Sequence, residues 1–235
     1  MALADVFCGH VKLTGSRSTA ACTLATAGVA IGDKIEVLCI VDNATGQTVT
    51  GVTDDAGNTY HSGGVSSSVK GSLELWYSDC DHTCTTSTVV TVTWAAANAA
   101  DHKVTVCKIT GSPASGAPPQ TNNNGSASFV STWSSGAVTT TDPAAIVRGC
   151  AIANSSSATS NTPNANYPET YDEGIGRTGV VVARVTSATG SYTPIGTWVG
   201  ATTTYDAISW TWNTGGGGGG SSFPIGSLTQ LGSGL

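Results

Sequence analysis

A chain of 235 residues with a formal net charge of −6, only 10% of its residues charged and 30 of them glycine, is short of the Lys, Glu, Gln and Met that build helices. That composition excludes a helical protein. The negative balance, with no Lys/Arg cluster, removes the attraction to phosphate on which nucleic-acid binding rests. At this length the chain is one large all-β domain or two smaller ones.

The opening residues, MALADVFCGHVKLTG, carry Asp5 early and hold no apolar run long enough for a secretion signal. No later run approaches membrane-spanning length, so the expectation is synthesis in the cytoplasm with no membrane partner. Strands are expected at about 6–13, 19–26, 34–41, 48–53, 59–62, 72–78, 87–94 and 103–110, separated by Gly-Asp at Gly32-Asp33, by NATG from Asn43 and by DDAGN from Asp54. Such spacing suits a sandwich or barrel. The nearly continuous apolar run KIEVLCIV, 34–41, belongs mid-sheet with both faces covered. In SLELWYS, Leu73, Leu75 and Tyr77 alternate with wetter positions, as Val90, Val92 and Trp94 do in VVTVTW. Val37, Cys39, Val41, Leu75, Val92 and Val106 are accordingly expected in one core.

Residues 111–128, GSPASGAPPQTNNNGSAS, are rich in Pro, Gly and Asn without an apolar period, which predicts a long loop. Further strands are expected at 129–133, 145–153, 180–187, 193–199 and 204–212. The second half holds few strands and little apolar area, and no internal repeat is apparent. Residues 1–213 are therefore expected to form a single double-sheet sandwich. A Gly/Ser tether at 214–222 follows, with eight consecutive Gly/Ser residues spanning about 16 Å r.m.s.. Beyond it, residues 223–235 place Phe223, Pro224, Ile225, Leu228, Leu231 and Leu235 on an extended tail. A tether ending in apolar groups is an anchor for docking.

Candidate chemistry is sparse. None of the four histidines stands in a hydrolase or metalloprotease motif, and no serine sits on a nucleophile elbow. No catalytic residue and no cofactor are expected. Glu169, Asp172 and Glu173 in ETYDE offer carboxylates such as glycoside hydrolysis uses, though a solvated loop entering a strand has the same composition. Cys80, His82 and Cys84 in CDHTC are weak metal candidates, because a structural zinc site needs four ligands and no second cluster exists. Asp54, Asp55 and Asn58 are hard oxygen donors, but a tight turn with Gly57 demands the same residues. The seven cysteines sit mostly in apolar strand patterns and are read as reduced, buried thiols. Trp210 and Trp212, on one face of SWTWN, are candidates for an exposed aromatic row that stacks on sugars.

The motifs VTDDAGNTY, LELWYS and VVTVTW, followed by YPETYDEG and VVVARVTSATGSYTPIGTW, resemble in kind and order a family of β-sandwich proteins of tailed bacteriophages, also met in bacterial surface modules. Family members carry strand-turns like VTDSAGNTY, an aromatic strand like WYA, and a late TERYD and ATGSYTP. The resemblance covers about 32–212. It implies an all-β, double-sheet sandwich, jelly-roll or immunoglobulin-like, on the virion exterior and without enzymatic activity. The cysteines and the apolar tail depart from that pattern. The expected function is a virion structural protein, most of all a capsid decoration protein that stabilises the head by docking on neighbours. Its partners would be the major capsid protein or tail proteins, with homo-oligomers formed. The alternatives are a minor tail or fibre protein, or a carbohydrate-binding, adhesive module for a host-surface glycan.

Overall fold

The computed structural model describes residues 2–42, 47–66, 71–98, 100–153, 158, 160–172, 179–200 and 202–215. They form eighteen strands and no helix: β1 Ala4–Leu13, β2 Arg17–Thr23, β3 Lys34–Val41, β4 Val49–Asp54, β5 His61–Ser66, β6 Ser72–Asp79, β7 Val89–Asn98, β8 His102–Thr110, β9 Thr121–Val130, β10 Thr132–Ser134, β11 Val138–Thr140, β12 Ile146–Ala153, β13 Ser160–Pro163, β14 Glu169–Asp172, β15 Gly179–Val185, β16 Gly190–Tyr192, β17 Ile195–Val199 and β18 Thr203–Trp212. The chain is an all-β sandwich protein.

In the first half, a five-stranded antiparallel sheet in the order β1-β8-β3-β6-β5 packs on a three-stranded sheet, β2-β7-β4. In the second, β9-β18-β12-β15-β14 packs on β10-β17-β13, with the pair β11-β16 beside them. Replacing β1 by β9, β2 by β10, β3 by β12, β4 by β13, β5 by β14, β6 by β15, β7 by β17 and β8 by β18 turns one set of orders into the other. The two five-stranded sheets then meet face to face, so the double-sheet sandwich occurs twice, in four layers of sheet. The repeat is one of strand order and escapes the sequence because equivalent positions carry unlike residues. Lys34, first in β3, lies between Ile109 and Asp79. Ile146, first in β12, lies between Trp212 and Val185. Counting on from these, Glu36 matches Arg148 and Leu38 matches Cys150.

Three apolar clusters hold the layers. Val37, Cys39, Val41, Val92, Val106 and Trp94 fill the first sandwich. Trp133, Val147, Val182 and Ala207 fill the second. Leu38, Leu73, Leu75, Cys150, Ile208 and Trp210 lie between the two large sheets. β3 and β12 are buried at all eight positions because each runs through the centre of a sheet covered on both faces. Leu75 therefore does not join Val37 and Val92. It pairs across from Leu38 on the opposite face of the sheet, a distinction that an apolar run on both faces of β3 conceals.

The expected loop at 111–128 contains most of β9, an edge strand paired with β18. Its residues 121–124 are exposed, so it carries no apolar period to read. β1 stacks against β14 at one end of the interface, where the rings of Phe7 and Tyr171 lie parallel at 4.9 Å. At the other, Asn123 Nδ2 of β9 donates to the Val65 carbonyl of β5 at 3.0 Å. Since β9 matches β1 and β14 matches β5, the two contacts are counterparts under an approximate two-fold rotation.

Candidate functional site: the seam between the sandwiches

Charged side chains converge in the otherwise apolar space between the large sheets: toward one end Lys103 Nζ lies 2.9 Å from Asp42 Oδ2, and at the other a larger group meets. Arg148 of β12, fully buried, donates to the Asp5 carboxylate of β1, and its Nε lies 2.9 Å from Glu36 Oε2 of β3. The other oxygen of Glu36 accepts the indole N–H groups of both Trp210 and Trp212. Asp5 also accepts the hydroxyl of Thr170 in β14. Lys34 Nζ donates to the Asp79 carboxylate and to the Gly116 carbonyl, the latter at 2.8 Å, and sits 4.3 Å from the centre of a Trp212 ring. Desolvation lowers the Lys34 pKa against the pull of Asp79 and Glu36. Strands from both halves thus share one network of ion pairs and hydrogen bonds in low dielectric, where a removed partner is costly.

Where the seam reaches the surface beside β1, β14 and β15, a cleft of about 800 Å³ opens, bordered by Val6, Phe7, Ile146, Pro168, Glu169 and Val185. Phe7 and Val6 are half-buried, and Val185 is 45% exposed. A register shift between Glu169 and Tyr171 puts Thr170 and Tyr171 toward the first sandwich and turns Glu169 and Asp172 to the other face of β14. Asp172 Oδ2 accepts the Asn161 N–H at 2.9 Å, and Asn161 Oδ1 accepts the Trp133 indole N–H at 2.7 Å. Burial, with the nearby Asp172 charge, pushes Glu169 up to about 7. These two carboxylates stand side by side on one strand. Glycoside hydrolysis needs two carboxyl groups flanking a bond from opposite sides. Glu173 lies outside the described residues.

Trp210 and Trp212 do not form an exposed row. They are 0% and 1% exposed, because the face of β18 that bears them is the one covered by the first half and their N–H groups find Glu36 there. Around Cys80, His82 and Cys84 the two thiols are buried while the imidazole turns outward to Asp81, at 2.9 Å, and among the described residues no group of three metal-ligating side chains converges. The Asp54 carboxylate accepts the backbone N–H groups of Ala56, Gly57 and Asn58 on one oxygen and Asn58 Nδ2 and the Tyr60 hydroxyl on the other. Although desolvation pushes it up, these bonds hold Asp54 below the usual carboxylate range. The Asn58 side chain in turn accepts the N–H groups of Asp81 and His82 and donates to the His82 carbonyl. The two sets of possible ligands therefore brace one another. All seven cysteines are free and buried; burial pushes Cys22 and Cys150 up to about 12, which keeps them as inert thiols. Phe223, Pro224, Ile225, Leu228, Leu231 and Leu235 lie outside the described residues.

The Asp5–Arg148–Glu36 network went unread in the sequence. Its signal was a single charge inside each of two apolar runs, Glu in KIEVLCIV and Arg in IVRGCAIA, since a charge at a buried position needs an opposite one. No family model, curated protein or solved structure matches the chain.

Proposed function

We propose that this chain is a structural protein of a bacteriophage virion, a decoration protein that docks on the major capsid protein and on its own copies and adds interface to the head. It is made in the host cytoplasm and performs no catalysis. The observation that carries the reading is the locked stack: two sandwiches joined by a buried face and an internal ion-pair network make a stiff body suited to a mechanical role. The resemblance in motif order and the tethered apolar tail point the same way, because such a tail adds a second attachment at high effective concentration once the body has touched a neighbour. Each interface buried on the particle stabilises the lattice by mass action.

The test is to add the full chain, and a chain ending at Asn213, to particles lacking the protein. Full-length chain on the particles at stoichiometric occupancy, with the shortened chain falling away, supports the reading. Full-length chain that binds no particle overturns it, and undiminished occupancy of the shortened chain overturns the anchor. A second reading, a glycan-binding module of the tail or fibre, is favoured by a groove of about 330 Å³ whose border includes the hydroxyl groups of Thr132, Ser134, Thr162 and Thr197. Retention of the chain on immobilised host-surface glycans, with no particle binding, would select it.

A further inference from the structure

The two ends of the seam are equivalent by strand order, yet they are not equally closed. Between β5 and β9 the seam is tied by the bond from Asn123 to Val65, leaving a space of about 140 Å³. Between β1 and β14 the cleft is about 800 Å³, within the roughly 300–1,000 Å³ of pockets that enclose a ligand. Its border joins apolar Val6, Phe7, Ile146, Pro168 and Val185 to polar and charged residues that include Asp5 and Arg184. An occupant that brings apolar side chains fits the apolar part of that border.

The chain itself supplies such an occupant close by. Trp212, Ile146 and Val185 are successive neighbours across β18, β12 and β15, so Trp212 lies one strand spacing, about 5 Å, from Ile146 on the cleft's border and two, about 10 Å, from Val185. The chain leaves from a fixed point just beyond. Thr214 donates through its N–H and hydroxyl to Asp142 Oδ2 at 2.6 and 2.7 Å, and the Gly215 N–H donates to the Ser112 carbonyl at 2.7 Å. Residues 216–222 are all Gly or Ser, a composition and length that reach about 15 Å r.m.s.. The peptide that follows, FPIGSLTQLGSGL, is apolar at Phe223, Pro224, Ile225, Leu228 and Leu231 and carries no charged side chain.

We propose that the cleft between β1 and β14 is the docking groove for the chain's own C-terminal peptide, residues 223–235, which the free protein holds there and releases when it meets a partner. The proposal concerns the free chain and stands whatever the partner is. Docking in cis shields an apolar peptide that would otherwise cause self-association, and makes it available only where a neighbour offers a better site.

The experiment uses the full chain with Phe223 replaced by the photo-crosslinking analogue p-benzoylphenylalanine. Irradiation is expected to join position 223 to peptides containing residues 5–7 or 183–185, within monomers and at a yield independent of protein concentration. A second chain adding Ile225→Asp and Leu228→Asp, changes that leave the sandwich strands untouched, is expected to lose that crosslink at least tenfold. Crosslinks found only between two copies, crosslinks to another face, absence of any crosslink, or a yield unchanged by the two aspartates would each overturn the proposal.

Discussion

At Arg148 the network between the sheets depends on one side chain. Replacing it by Met keeps volume but leaves buried Glu36 and partly buried Asp5 without their cation, and breaking a buried pair from one side costs about 3–5 kcal/mol. Arg148→Met should therefore shift the urea midpoint strongly downward, and adding Glu36→Leu should recover part of the loss; a single variant as stable as the parent would show that the network contributes little. Glu169 makes a prediction in pH. Its folded-state pKa, about 7, stands above the ordinary 4.5, so the folded chain binds this proton more tightly than the unfolded chain does. Stability from this group is then fully present below about pH 4.5 and lost as pH rises toward 7. Melting curves across that window should show the decline in the parent, and Glu169→Gln should lessen it, the remainder coming from Glu36, which burial also raises to about 7.

Among the strands, β12 shows how tightly the second sandwich closes. A methyl group on Gly149 would lie 2.4 Å from Cβ of Pro194, so the central strand can pass beneath the turn before β17 only without a side chain. Gly149→Ala should cost about 1–3 kcal/mol through overpacking, read as a lowered unfolding midpoint. The strands most open to reading were those whose faces differ or are both dry. β3 was placed residue for residue from KIEVLCIV, and β6, β8, β12 and β18 came within two residues at their ends. β9, β11, β13, β14 and β16 fall outside the expected strands, β11 and β16 being only three residues long. β9 is an exposed Asn-rich edge, and β13 and β14 are four residues long, so none offers enough apolar alternation to stand out from a loop. At the seam, ETYDE was noticed for its carboxylates, but the bulge that separates Thr170 from Glu169 follows from pairing with β15, which no local pattern encodes.

For the molecule as a whole, the covered face between the large sheets sets how it unfolds. Leu38, Leu73, Leu75 and Tyr77 are buried only when the second half lies over them, so the first half expressed alone, ending at Gly111, should expose that face and self-associate. Calorimetry on the full chain should show one transition with equal calorimetric and van't Hoff enthalpies; two separated transitions would show that the halves are energetically independent. Leu75→Ala should lower the whole transition, by about 2–5 kcal/mol, and leave no fragment intact. The pairing of Glu36 with Arg148 carries a further consequence. These two residues occupy the same position in the two halves and touch near the rotation relating them. In a homodimer of identical sandwiches that position would meet its own copy, acid against acid or base against base. Joining both copies in one polypeptide lets the position hold opposite charges at once, so the clasp is one that only a symmetry-broken pair can make.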